Sequence, residues 1–132
     1  MVKKMCEPSD QVDDLARQVI GAAIEVHRIL GPGFLESVYE EALAVAFTLR
    51  GIAFERQKPF QLIYKNNPVG DSRLDFLVGG ELVVELMAIE IVHPIHVAKV
   101  ISYLKMTGLD LGLIINFHVE LLKDGVKRVV LT

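Results

Sequence analysis

Apolar residues recur at helical spacing through the first part of the chain. Between Leu15 and Leu30 they return every three or four positions, which predicts an amphipathic helix with Ser9 or Asp10 as its N-cap. The breaker Gly31-Pro32-Gly33 is expected to end this helix.

A second helix is predicted from about Phe34 to Arg50, with Gly51 as its C-cap. Acids in its first two turns, Glu36 among them, suit the positive end of the helix dipole. One side of this helix is apolar and is expected to face the core. Its residues are Leu35, Val38, Tyr39, Ala42, Leu43 and Ala46.

After Gly51 the pattern changes to short apolar runs of strand length. Lys58-Pro59 separates the first two predicted strands, and Asn66-Asn67-Pro68 is expected to form a turn. Two further strands meet at Gly79-Gly80. The four predicted strands cover residues 52–57, 60–65, 73–78 and 82 to about 89.

A third helix and two more strands are predicted in the last part of the chain. Pro94 lies where a first helical turn tolerates proline, and Gly108 is expected to end the helix. Residues 111–117 form a continuous apolar run, typical of a strand covered on both faces, and residues 126–131 form the last strand. This element order predicts a layered α/β or α+β domain.

Composition and charge narrow the class of protein. The 132 residues are 52% hydrophobic and 23% charged, which predicts one domain over residues 10–132 behind a flexible segment of residues 1–9. The net charge of -3 excludes a globally basic nucleic-acid-binding surface and leaves only a local groove. With a single cysteine, Cys6, and no apolar run of roughly 18 residues, we expect a cytoplasmic protein that does not enter a membrane. The apolar content also predicts a homo-oligomer, such as a dimer.

Two acids, Asp75 and Glu85, each lie inside an apolar strand pattern. Burying a carboxylate costs several kcal/mol unless it is paired or binds a metal ion. A two-residue turn at Gly79-Gly80 would place the acids on opposite faces of the sheet. A three-residue loop would instead pair Val78 with Leu82 and bring both acids to one face, where they would suit Mg²⁺. This second register is preferred.

An Asp on one strand, followed by Glu-x-Lys on the next, is the pattern of the PD-(D/E)XK nuclease superfamily, which the chain resembles at Asp75 and Glu85. The stretch from Gly33 to Tyr39 further resembles the signature of the GxxExxY protein family, a branch assigned to that superfamily. This resemblance implies a restriction-endonuclease-like core, with a central mixed sheet of about five to six strands flanked by helices. It also implies hydrolysis of nucleic acid, Mg²⁺ or Mn²⁺ as the cofactor, and Glu36 as a further metal ligand beside the two acids.

The chain departs from the superfamily pattern at Met87, where the motif lysine should stand. A thioether cannot donate a proton and carries no charge. On the third helix, where the resemblance implies Gln-x-x-x-Tyr, the chain reads Lys99-Val-Ile-Ser-Tyr103. We therefore expect Lys99 to reach the acids and to replace the missing ammonium group as a catalytic residue.

Four residues are predicted to contact the substrate: Tyr39, Tyr103, His27 and His96. Two of them have a structural alternative. Tyr39 would then be a core residue with its hydroxyl at the rim, and His27 a cation favoured by the end of its helix. Glu36 would likewise serve only the N-terminus of the second helix.

Two functions stay open at this point. The first is a metal-dependent nuclease whose site is altered at Met87. The second is a non-catalytic module that keeps the fold and binds nucleic acid or a protein partner. Met87 favours the second function, whereas the retention of Asp75, Glu85, Glu36 and Tyr39 favours a working site.

Overall fold

A computed structural model describes residues 8–131 of the protein. Cys6 and residues 1–7 of the segment predicted to be flexible lie outside the described residues. The elements in chain order are helix α1 (Asp10–Leu30), helix α2 (Glu36–Leu49), strands β1 (Phe54–Tyr64), β2 (Asn67–Val78) and β3 (Leu82–Met87), helix α3 (Pro94–Thr107), strand β4 (Leu111–Asn116), a 3-10 turn (Leu122–Gly125) and strand β5 (Val126–Val130).

The strands form one five-stranded mixed sheet in the order β1-β2-β3-β4-β5. β3 and β4 run parallel, and every other neighbouring pair is antiparallel. Helices α1 and α2 cover one face of the sheet, and α3 covers the other. This arrangement confirms the predicted α+β fold with a mixed sheet flanked by helices.

The central strands are apolar because helices cover both of their faces. Every residue of β3 and β4 is buried. On one face, Phe47 of α2 packs in a cluster with Phe76 of β2. On the other face, Val100 and Leu104 of α3 pack in a cluster with Ile114 of β4. Each large apolar side chain buried in this way contributes about 1.5–3 kcal/mol, so the two clusters fix α2 and α3 against the sheet.

The predicted ends of the first and third helices are confirmed. The Ser9 side chain accepts a 3.3 Å hydrogen bond from the Val12 N–H and caps α1, which ends just before Gly31. Pro94 opens α3, and Gly108 follows its last residue in the left-handed conformation. Within the described part of the chain, no helix combines the length and the apolar character needed to cross a bilayer.

Helix α2 packs through most of the face predicted for it. Tyr39, Leu43 and Ala46 are buried, and Ala42 packs against the same core. The prediction was wrong for Leu35 and Val38, whose exposed fractions are 74% and 39%. Leu35 is the N-cap and lies outside the first turn, and Val38 lies beside the buried stripe of the helix.

Strand β1 is continuous where two strands were predicted. It runs through Lys58-Pro59 because β1 is an edge strand, and edge strands tolerate proline. The turn that follows lies at Lys65 and Asn66, one residue earlier than predicted, and both residues have positive φ angles. Such a two-residue turn matches the twist of a β-hairpin. Two irregularities lie within β1: Gln57, with φ of 48°, and a shift of the register with β2 between Leu62 and Ile63.

We expect Gly125→Ala to destabilise the protein strongly. A Cβ atom on Gly125 would overlap the carbonyl oxygen of Asn116, so the end of β4 would have to move. The free energy of unfolding should fall by more than about 2 kcal/mol in urea denaturation. Gly70→Ala is the matched control, because a Cβ atom there would meet only the Leu62 side chain at 3.7 Å. Equal unfolding midpoints for the two variants would contradict this packing.

Candidate active site

Strands β2 and β3 are paired only near the turn that joins them. Their register pairs Val78 with Leu82, and the pairing of β2 with β3 ends at Phe76. This is the register preferred from the sequence. Its continuation places Asp75 opposite Glu85, at the point where the backbone pairing stops.

At this point the two acids take the place of the missing backbone bonds. The Asp75 N–H donates a 2.8 Å hydrogen bond to Glu85 Oε2, and the Leu86 N–H donates a 2.8 Å hydrogen bond to Asp75 Oδ2. Each carboxylate therefore accepts a bond from the opposite strand and is held in one orientation. Asp75 Oδ1 has only a long 3.4 Å contact with Gln57, and Glu85 Oε1 accepts no hydrogen bond from a described residue. Each acid thus keeps one oxygen for a ligand.

Burial makes this pair electrostatically costly. Burial, with the nearby charge of Asp75, raises the pKa of Glu85 to about 8. Burial also raises the pKa of Asp75, and the hydrogen bond from the Leu86 N–H opposes that shift. A group that is both buried and beside a like charge ionises more easily when a cation binds. The pair therefore has the electrostatic character of a cation site.

Glu36 and Lys99 approach the pair from the two flanking helices. Glu36 is the first residue of α2, and partial burial raises its pKa, with the charges of Asp75 and Glu40 adding to the shift. The ammonium charge of Lys99 opposes the raised pKa of Glu36, Asp75 and Glu85 alike. Lys99 forms no direct salt bridge with them among the described residues, and its Nζ lies 5.4 Å from the centre of the Tyr103 ring.

Asp75 and Glu85 fit a hard divalent cation, although they do not enclose one. Among residues 8–131, no three His, Cys, Asp or Glu side chains come close enough together to hold a metal ion by themselves. Mg²⁺ commonly binds through one or two carboxylates and keeps several of its waters. Two carboxylate oxygens, one from each acid, match that requirement.

Met87 occupies the position of the motif lysine as a core residue. It is buried and packs with Val100 and Leu104 of α3 in the apolar cluster on that face of the sheet. In the parallel pair of β3 and β4 it stands next to Asn116. Strand β3 therefore brings no ammonium group to the acids, and the charge of Lys99 on α3 acts on all three carboxyls.

Two of the predicted substrate contacts, Tyr39 and His27, are used elsewhere in the fold. Tyr39 is fully buried and stacks on Phe117, with ring centres 4.4 Å apart. Its hydroxyl donates a 2.6 Å bond to the Gly31 carbonyl and accepts a 3.2 Å bond from the Phe34 N–H. His27 Nε2 lies 2.7 Å from the carbonyl oxygen of Val119. No described contact joins either residue to the two acids.

The other two predicted contacts, His96 and Tyr103, lie on α3 with Lys99. Residues spaced by three, four and seven positions share one side of a helix, so these three residues do. His96 Nδ1 accepts a 2.9 Å bond from the His93 N–H and caps the helix. The Tyr103 hydroxyl accepts a 3.1 Å bond from Ser72, and its ring meets Phe60 edge to face. Tyr103 therefore holds α3 against the β1–β2 hairpin.

Two residues of the site were missed from the sequence: Gln57 and Glu40. Gln57 Nε2 donates a 2.9 Å bond to Glu40 Oε1 and lies 3.4 Å from Asp75 Oδ1. Glu40 stands four residues after Glu36, and this helical spacing was a usable signal for it. No local signal marks Gln57, whose place opposite Asp75 follows from the register of the whole β1–β2 hairpin.

A mixed sheet with flanking helices, and with an Asp and a Glu facing each other where two strands part, defines a restriction-endonuclease-like nuclease fold. A sequence profile of the PD-(D/E)XK nuclease superfamily matches residues 13–129, and the chain belongs to this superfamily. Members of the superfamily generally use divalent metal ions. Neither a curated protein nor a solved structure shows significant similarity to the chain.

The raised pKa of Glu85 predicts a specific pH dependence of stability. The folded protein keeps this proton up to about pH 8, whereas the unfolded chain loses it near the ordinary pKa of 4.5. The stabilisation of the folded protein by this proton is therefore complete below pH 4.5 and is lost as the pH rises towards about 8. It should fall by about 1.4 kcal/mol per pH unit over this range.

Glu85→Gln should remove this slope, because the amide cannot ionise and can still accept the Asp75 N–H bond. Urea denaturation at about pH 5, 6.5 and 8 measures the effect as a growing advantage of the variant over the wild type. Glu120→Gln, at an exposed glutamate, is the control and should follow the wild type. Parallel pH profiles for the wild type and Glu85→Gln would show that Glu85 ionises normally.

Proposed function

We propose that the protein is a metal-dependent nuclease that hydrolyses phosphodiester bonds, with Asp75 and Glu85 as ligands of Mg²⁺ or Mn²⁺. The observation that carries this proposal is the crossed pair of hydrogen bonds that orients both carboxylates. It leaves Glu85 Oε1 without a described hydrogen bond and Asp75 Oδ1 with only the long 3.4 Å bond from Gln57. A bound divalent ion would polarise the phosphate and lower the pKa of a coordinated water. Glu36 assists from the start of α2.

Lys99 takes over the role of the missing motif lysine in this proposal. Its charge acts on the same three carboxyls that the metal would bring together. From α3 its ammonium group can orient the attacking water or stabilise the negative charge that develops on the phosphate. The ring of Tyr103 supports the lysine at 5.4 Å by a cation–π contact.

The proposed nucleic-acid contacts follow the same side of α3. His96 and Tyr103 flank Lys99 along the helix, so a strand that reaches Lys99 also passes these two residues. Tyr39 and His27 make no direct substrate contact in this proposal, because Tyr39 is fully buried and His27 is bound to the carbonyl of Val119. We also propose that the chain is a member of the GxxExxY family, on the basis of the stretch from Gly33 to Tyr39.

The alternative is a binding module without catalysis, and Met87 is the observation that favours it. Its side chain fills the apolar cluster under α3, so the position of the motif lysine has become part of the core. Such a protein would keep the fold and a cation at Asp75 and Glu85. It would bind nucleic acid or a protein partner without cleaving a substrate.

A cleavage assay separates the two functions. Single-stranded DNA, duplex DNA and RNA are incubated with Mg²⁺ or Mn²⁺ and the wild type, Asp75→Asn or Lys99→Met. The nuclease proposal expects cleavage by the wild type, no cleavage by Asp75→Asn, and a rate reduced by roughly 10²-fold or more in Lys99→Met. Lys105→Met, an exposed lysine on another side of α3, is the control and should retain the wild-type rate.

Met87→Lys distinguishes an altered site from a decayed one. If Lys99 has replaced the motif lysine, the added lysine should leave the rate unchanged or lower it, because burying its charge disturbs the cluster under α3. Cleavage that appears only in Met87→Lys would instead identify a site that lost its activity with the lysine. Inactivity of all variants would favour the binding module.

An apolar groove between α1 and α2 supports the predicted homo-oligomer. Its volume is about 350 Å³, and Ile29, Val45 and Leu49 line it with exposed side chains. The ion pair of Glu25 and Arg50 at 3.2 Å lies beside it and offers both charges to a second copy. A twofold axis at this groove would bury the same surface on both copies.

Leu49→Glu should therefore lower the mass of the particle in solution, as measured by light scattering after size exclusion. The new charge would be buried without a partner in the interface. Leu121→Glu, at an exposed leucine outside this groove, is the control and should keep the wild-type mass. A wild type of monomer mass would contradict the homo-oligomer.

A further inference from the structure

Gln57 interrupts the pairing of β1 with β2 directly opposite Asp75. The residues on either side are paired in register, Arg56 with Phe76 and Lys58 with Leu74, whereas Gln57 is not part of the ladder. Its φ angle of 48° lies in the left-handed region, which is unfavourable for a residue with a side chain of this length. Backbone strain of this kind persists where the surrounding structure imposes it, and it clusters at functional sites.

The strained conformation places the Gln57 amide between two carboxylates. Nε2 donates a 2.9 Å bond to Glu40 Oε1 and approaches Asp75 Oδ1 at 3.4 Å. Glu40 lies on α2 and is held from its other side by Arg56, at 2.9 Å. An amide nitrogen has two hydrogens and can serve both acids without adding a charge. This series of hydrogen bonds therefore runs from Arg56 through Glu40 and Gln57 to Asp75 Oδ1.

We propose that Gln57 is a positioning residue, which fixes the Asp75 carboxylate on the β1 side and couples it to Glu40 of α2. The role of Gln57 in metal binding rests on the proposed function, whereas its role in orienting the Asp75 carboxylate does not. Asp75 would then be restrained at both oxygens, with Oδ2 bound by the Leu86 N–H at 2.8 Å and Oδ1 steered by Gln57. A lysine in this place would compete with a cation for Asp75, and a glutamate would add a like charge.

The left-handed backbone at Gln57 allows a test that separates positioning from folding. Gln57→Gly removes the amide and also relieves the strain, so its urea midpoint should equal or exceed that of the wild type. Gln57→Leu removes the amide and keeps the strain, so its midpoint should fall. Gln57→Asn keeps an amide on a residue that tolerates the left-handed region. Gln61→Leu, at an exposed glutamine in a regularly paired part of β1, is the matched control.

The first measurement needs no metal. Hydrogen exchange of the Leu86 N–H, followed by NMR, reports on its bond to Asp75 Oδ2. We expect exchange to become about tenfold faster in both Gln57→Gly and Gln57→Leu, relative to the Leu113 N–H in the β3–β4 part of the sheet. Gln57→Asn should restore part of the protection, and Gln61→Leu should match the wild type. Unchanged Leu86 exchange in the Gly and Leu variants would overturn the proposal.

The second measurement is calorimetric titration with Mn²⁺. Substitution of a residue that orients a metal ligand typically lowers metal affinity by about 10- to 100-fold. Gln57→Gly and Gln57→Leu should therefore both bind Mn²⁺ at least about tenfold more weakly than the wild type, although only Gln57→Leu is less stable. Equal Mn²⁺ affinity in the wild type and in both variants would overturn the role of Gln57 at the metal site. A wild type that binds no Mn²⁺, with faster Leu86 exchange in the variants, would support the hold on Asp75 and refute the proposed metal centre.

Discussion

The crossed hydrogen bonds between Asp75 and the strand of Glu85 are the interaction on which the site depends. Two ionised carboxylates would not normally share a place inside a sheet whose central strands are fully buried. Burial and the nearby charge of Asp75 accordingly raise the pKa of Glu85 to about 8. Each carboxyl group also accepts a backbone N–H from the opposite strand, so the sheet loses its regular pairing without leaving those donors unsatisfied. Glu85 Oε1 accepts no hydrogen bond from a described residue, and Asp75 Oδ1 has only the long contact with Gln57. The same contacts thus hold the two strands together and orient both acids.

The charges around Asp75 and Glu85 explain how a lysine at position 99 can offset the missing lysine at position 87. Glu36, Asp75 and Glu85 face a single ammonium group, that of Lys99, which leaves two negative charges in excess when all four groups are ionised. A divalent cation would balance that excess. At the position of the motif lysine, Met87 contributes apolar contacts with α3 and no charge. Because α3 packs directly over Met87, a lysine on α3 can supply a positive charge to the same acids.

The sequence contained enough information to predict the mixed sheet, the ends of α1 and α3 and the register at the β2–β3 turn, because each follows from local patterns. Two buried acids could lie on one face only in the register that pairs Val78 with Leu82. The burial of two apolar residues of α2 could not be predicted, because Leu35 and Val38 match the apolar pattern but are exposed once the helix packs through Tyr39, Leu43 and Ala46. The role of Gln57 could not be predicted for a different reason. Its hydrogen-bond partners, Glu40 on α2 and Asp75 on β2, are distant from it in the sequence.

The stretch from Gly33 to Tyr39 shows how folding contacts can set the position of a carboxyl group near Asp75. The buried Tyr39 ring stacks on Phe117, and its hydroxyl bonds both the Gly31 carbonyl and the Phe34 N–H, which closes the loop between α1 and α2. Gly33 within that loop has a φ angle of 104°, a conformation that glycine adopts without strain. Closing the loop fixes where α2 begins, and Glu36 is its first residue. Tyr39 therefore serves the site by fixing where Glu36 stands, because a carboxylate at a frayed helix end would not be held near Asp75.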